Sequence, residues 1–126
     1  MISIKIDPVG KVRMTRADAW KKRPCVLRYW AFKDELLYKL GPAKDSVTTA
    51  LLNGTCRMDF NIAMPKSWSK KKKDAMEGEP HLSRPDIDNI CKSVLDCLMI
   101  EDSAVWRIEC EKHWAKTGSI DFFIDQ

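Results

Sequence analysis

The sequence predicts one α+β domain, residues 1–126, in which a small mixed sheet of about four strands packs against two main helices. Three observations carry this. Strict apolar/polar alternation occurs at both ends and in the middle of the chain, two longer stretches repeat apolar residues at three-and-four spacing, and 126 residues suit a single hydrophobic core.

The elements follow in order. Ile2, Ile4 and Ile6 alternate with Ser3, Lys5 and Asp7, the period of a strand with one buried face, and Pro8 and Gly10 end it. Between Pro24 and Leu40, Val26, Tyr29, Trp30, Leu36, Leu37 and Leu40 mostly keep helical spacing; Pro24 suits a first turn and Gly41-Pro42 a stop. Cys56, Met58, Phe60, Ile62 and Met64 alternate through a second strand over 55–64. Residues 65–85 are expected as a mobile surface excursion, with a short exposed helix around Lys70–Lys73. Ile87, Ile90, Cys91, Val94, Leu95 and Leu98 form the strongest helical stripe, starting near Asp86. Trp106, Ile108, Cys110 and Trp114, then Ile120, Phe122 and Ile124, alternate on either side of Thr117-Gly118 and predict a terminal hairpin.

Composition excludes several classes of function. No apolar run approaches the roughly 18 residues of a membrane span. The stretch Met1 to Asp7 has neither a signal-peptide core nor a cleavage site, so the protein is expected in the cytoplasm. Five cysteines, odd in number and without a Cys-x-x-Cys pair, argue against a disulfide framework or a zinc site and read as reduced core thiols. The net charge of +4 is local, since Lys70, Lys71, Lys72 and Lys73 form a single run.

The segment Arg84-Pro85-Asp86-Ile87-Asp88-Asn89-Ile90-Cys91-Lys92, with Asp96 and then Glu101-Asp102, is the most informative. Its plain reading is structural: Asp86 caps a helix, Asp88 complements the helix dipole, and Asp88, Lys92 and Asp96 form an i, i+4 ion-pair ladder. Its chemical reading is a carboxylate group for a hard divalent cation with a lysine nearby. Magnesium takes a few carboxylates and completes its shell with waters and phosphate oxygens. Residues two apart on a helix diverge, so Asp86 and Asp88 converge only if Asp86 stays extended, and Asp102 approaches only if the chain doubles back after Leu98.

The string Arg-Pro-Asp-Ile-Asp-Asn-Ile-x-Lys-x-Val-Leu-Asp-x-Leu, the acidic pair, the following Glu111-Lys112, Ile62 to Lys72 and Pro8 to Arg13 together resemble the RusA family of crossover junction endodeoxyribonucleases over nearly the whole chain. The resemblance implies a magnesium-dependent homodimer, with manganese as the alternative cation, that resolves Holliday junctions by paired nicks. It implies Asp86, Asp88 and Asp102 as metal-binding acids and Lys92 as the catalytic lysine. Family members usually place a loop with Gly and Trp before the acidic pair; here Leu98-Met99-Ile100 leads straight to Glu101-Asp102, leaving Glu101 as the rival third ligand.

Branched DNA and a second copy of the chain are the expected partners, with neither a membrane nor an organic cofactor. Candidate DNA contacts are Lys11, Arg13, Arg16, the run Lys70 to Lys73, and Trp68 as a stacking residue. Tyr29, Trp30, Leu36 and Leu37 are candidates for a two-fold interface, and His81 reads as incidental. Two competing functions are a metal nuclease acting on other branched DNA and a catalytically silent nucleic-acid-binding domain. Uncompensated carboxylates beside phosphates would repel DNA, which counts against the second.

Overall fold

A computed structural model describes residues 1–12 and 23–124; Arg13 and Arg16 lie outside the described residues. The elements are β1 (Ile2–Ile4), α1 (Pro24–Leu40), α2 (Ala43–Leu52), β2 (Cys56–Ala63), α3 (Lys70–Met76), α4 (Ile87–Cys97), a 3-10 turn (Asp102–Ala104), β3 (Glu109–Ala115) and β4 (Ser119–Ile124). The α+β class and mixed four-stranded sheet are as predicted. No helix among the described residues is long and apolar enough to cross a membrane.

The strands lie in the order β1-β4-β2-β3, with β4 antiparallel to both neighbours and β2 parallel to β3. One row of register, Ile4 opposite Ile120 opposite Phe60, and the next, Ile2 opposite Phe122 opposite Met58, put the apolar residues on one face. Phe32 and Leu36 of α1, Val47 and Leu51 of α2, and Ile90 and Val94 of α4 close over that face in one core. The other face is polar: Asn61 donates to Ser119 and Asp121, Ser3 donates to Asp121, and Arg57 holds Asp59 through two hydrogen bonds.

The terminal hairpin does not form. β3 and β4 are consecutive, yet β2 lies between them and pairs with both. The link Lys116–Gly118 is long enough for this, because three residues at up to about 3.5 Å each cover the roughly 10 Å between strands two apart. Matching Ile120 and Phe122 to Phe60 and Met58 buries more apolar surface than matching them to β3, where Lys112 shares the inward parity. The alternation also overreached at its start, since Trp106 and Ile108 are exposed and precede the strand.

Helix α2 was not foreseen. Gly41, at φ +50, does end α1, but Pro42 then caps the next helix instead of ending helical structure. The short stripe Val47, Ala50 and Leu51 is buried, and the β-branched run Val47-Thr48-Thr49 obscured it. The core takes Tyr29 and Leu36 and partly covers Leu37, which leaves only Trp30 of the four interface candidates exposed.

The excursion at 65–85 is tied down. Gly78 N–H donates to Trp114, Trp114 N–H to Glu79 and His81 N–H to Lys112, so residues 78–81 cover the outer edge of β3. Helix α3 starts at Ser69, whose hydroxyl accepts from the Lys72 N–H, and Lys116 pairs with Asp74 and Glu77 along its length.

Candidate active site

Helix α4 builds the site. Its buried stripe fixes the roll of the helix against the sheet, which turns Asp88, Lys92 and Asp96 away from the core. Asp86 sits at the N-cap with extended backbone, φ −67° and ψ 146°, the conformation that lets it face the same way as Asp88. Both carboxylates line one cleft with His81, Leu82 and Lys112. Asp86 also borders a second cleft of about 830 Å³, lined by Lys11, Arg28, Arg84 and Asn89. Lys11 in turn reaches a third cleft that holds Asp96, Glu101 and Asp102. The three openings adjoin through their shared residues, Asp86 and Lys11, so acids and bases alternate along one stretch of surface.

Asp88 keeps its plain role in the first turn of α4, where a negative charge complements the helix dipole, but the other two plain roles are not taken up. Asp86 makes no side-chain cap bond, although the helix start leaves backbone N–H groups open to one. The i, i+4 ladder is absent among the described residues: Asp96 pairs with Lys11 at 2.8 Å, and Asp88 and Lys92 have no salt bridge. The hydrogen bond to Asp96, with the added charge of Asp102, holds the Lys11 ammonium pKa above its ordinary value.

Two backbone arrangements fix the walls. The Lys11 N–H donates to the Asn89 carbonyl at 3.1 Å, docking the N-terminal arm on the first turn of α4. Gly10 permits that approach, since a Cβ there would stand 3.2 Å from Pro85 Cβ. Across the cleft, Lys112 Nζ donates to the carbonyls of Ser83 at 2.6 Å and Pro85 at 2.9 Å, on the residues leading into Asp86.

A divalent cation suits this donor set. Two carboxylates without cap bond or salt bridge on one cleft are what magnesium takes when phosphate oxygens and waters complete its shell. Asp102 opens onto the adjoining cleft with Glu101, and no group of three metal-ligating side chains forms among the described residues. The structure therefore brings Asp86 and Asp88 together and leaves Asp102 apart from them.

The family described as endodeoxyribonuclease RusA matches residues 7–124. The chain belongs to the RusA family. Its activity class follows, a DNA-cleaving enzyme of the Holliday junction resolvases. No curated protein and no solved structure matches the chain.

Within this RusA-family nuclease, the foreseen DNA contacts have separate fates. Lys11 lies in the cleft region, whereas Lys70 to Lys73 ride on α3. Trp68 is half-buried: its ring meets Trp114 at 4.8 Å between centroids, and Lys72 Nζ stands 4.0 Å over it. Trp114 also meets His81 at 4.3 Å, so a line of rings connects α3 to the cleft. His81 is 2% exposed, Nδ1 has no hydrogen-bond partner among the described residues, and burial, reinforced by Lys112, pushes its pKa down.

Lys112, Arg84 and Arg28 were missed by sequence reasoning as lining residues. For Lys112 a signal existed: it stands at inward parity between Cys110 and Trp114, and a lysine on a buried stripe needs a partner.

Proposed function

We propose that the protein is a magnesium-dependent endonuclease that resolves four-way DNA junctions by paired, symmetric nicks as a homodimer. One observation carries the reading: Asp86 and Asp88, released from capping and pairing, open on one cleft bordered by lysines in a chain of a junction-nuclease family.

Asp86 and Asp88 would hold the cation; Asp102, which opens onto the adjoining cleft, would join as the third acid only through a bridging water or a shift of the 3-10 turn that carries it. Magnesium there, or manganese in its place, supplies charge neutralisation at the phosphate and a water of lowered pKa. Lys92, exposed and without a salt bridge among the described residues, stands one turn beyond Asp88 and is the group to stabilise charge building on the phosphate oxygens. Lys112 fixes the backbone that presents Asp86. Lys11, Arg28 and Arg84 line the path for the flanking backbone, where phosphate contacts set register without reading sequence. A junction has equivalent strands in pairs and each chain has one such acid pair, so symmetric resolution calls for two chains in a closed two-fold arrangement.

The test is incubation with a synthetic four-way junction, with and without magnesium, for wild type and Asp88→Asn. Cleavage by wild type only with the cation, and none by the variant despite intact or tighter junction binding, is the expected result. Near wild-type nicking by Asp88→Asn refutes the assignment. Mixed wild-type and variant subunits are expected to nick one strand without resolving the junction.

A further inference from the structure

The sulfurs of Cys91 on α4 and Cys110 on β3 stand 2.8 Å apart, inside ordinary sulfur–sulfur contact. A disulfide bond is about 2.05 Å long, so closing the pair takes an approach of about 0.8 Å. Both side chains are half-buried, whereas Cys56 and Cys97 are buried. Cys91 falls between Asp88 and Lys92 on α4, and Cys110 precedes Lys112 by one inward position of β3. We propose that Cys91 and Cys110 are a redox modification site that closes into a reversible intramolecular disulfide when the protein meets a peroxide.

The step balances without any further reagent. Cys91 thiolate attacks one peroxide oxygen, the O–O bond breaks, and the products are a sulfenic acid and hydroxide. Cys110 sulfur then attacks the Cys91 sulfur, its thiol proton leaves with the departing oxygen as water, and the S–S bond forms. Two electrons pass from the thiols to peroxide. The contact is symmetric, since either sulfur can donate to the other, so the same two steps run equally with the roles of Cys91 and Cys110 exchanged. An exogenous dithiol reverses the bond by exchange.

The bond would tie the helix that carries Asp88 and Lys92 to the strand that carries Lys112, so a redox change would reach both walls of the cleft. The inference stands on the two thiols and does not depend on the nuclease reading.

The experiment treats the whole chain with hydrogen peroxide, blocks residual thiols, and maps peptides without reduction. The expected result is an intact mass lower by two hydrogens, a Cys91–Cys110 cross-linked peptide, and a melting temperature raised by about 5–10 °C, all reversed by dithiothreitol. Cys91→Ser and Cys110→Ser should each abolish the cross-link, while Cys56→Ser keeps it. Mapping of the wild type alone decides the matter if a serine variant fails to fold. Oxidation that stops at single sulfenic acids, or cross-links that form only between chains or through Cys25, overturns the proposal.

Discussion

Lys112→Met isolates the contribution of one ammonium to the shape of the cleft. Methionine keeps most of the stem, but the carbonyls of Ser83 and Pro85 lose the donor that reaches them at 2.6 and 2.9 Å. Hydrogen bonds to a charged group are worth about 1.5–3 kcal/mol each, and partial exposure roughly halves that, giving about 2 kcal/mol for the pair. For a domain of this size that lowers the melting temperature by roughly 8 °C. The loss at the active site is larger. Pro85 is joined directly to Asp86, and a displacement of about 1 Å in a catalytic group can cost on the order of 100-fold in rate. Junction binding is expected to change little, since one positive charge among many is removed. Thermal melting, single-turnover cleavage and binding at fixed salt check the three parts. Cleavage within twofold of wild type, at a lowered melting temperature, would show that Lys112 holds the loop without positioning the acid. An unchanged melting temperature would refute the hydrogen-bond reasoning altogether.

Met99→Gly should stabilise the protein by about 0.5–1 kcal/mol, because Met99 holds φ +58 at the end of α4 with its side chain 80% exposed and gives up strain while losing little packing. A lower melting temperature for the glycine variant would contradict this. His81, held below its ordinary 6.5 by burial, takes up a proton more readily in the unfolded chain, so stability is expected to decline as pH falls from about 7 toward about 5. Melting curves of His81→Gln should show a shallower decline over that range, and identical slopes would rule out His81 as a source. Replacing Lys70 to Lys73 with alanine should flatten the dependence of log affinity on log salt by about 0.9 for each lysine that meets a phosphate, up to roughly 3.6. A salt titration showing the same slope would mark the run as a solvated helix face.

Local periodicity was enough for most elements, and pairing was where it stopped. The stripe from Ile87 to Leu98 identified α4 because three-and-four spacing is a property of the helix itself. Extended Asp86, on which convergence with Asp88 depended, was legible from its place before that stripe. The false hairpin arose because Thr117-Gly118 signals a change of direction and says nothing about which strand lies alongside. That choice was made by Phe60 and Met58, more than 50 residues away in sequence. Asp96 was read as the partner of Lys92 because only neighbours along a helix are visible in a sequence, whereas its partner, Lys11, arrives from the N-terminal arm. The same limit concealed Lys112, whose meaning lies in carbonyls 27 and 29 residues earlier.

The position of β4 bears on how the chain can be synthesised. Among the described residues it is the last element along the sequence, an interior strand of the sheet, and the only strand with which β1 pairs. Until Ser119 to Ile124 have left the ribosome, the first strand has no neighbour and the second has an unpaired edge beside exposed Met58 and Phe60. The sheet therefore stays in two pieces until β4 is made, and the apolar face of β2 is completed only when Ile120 and Phe122 insert beside Phe60 and Met58. Loss of β4 would leave β1 without its partner and remove Ile120 and Phe122 from the centre of the core.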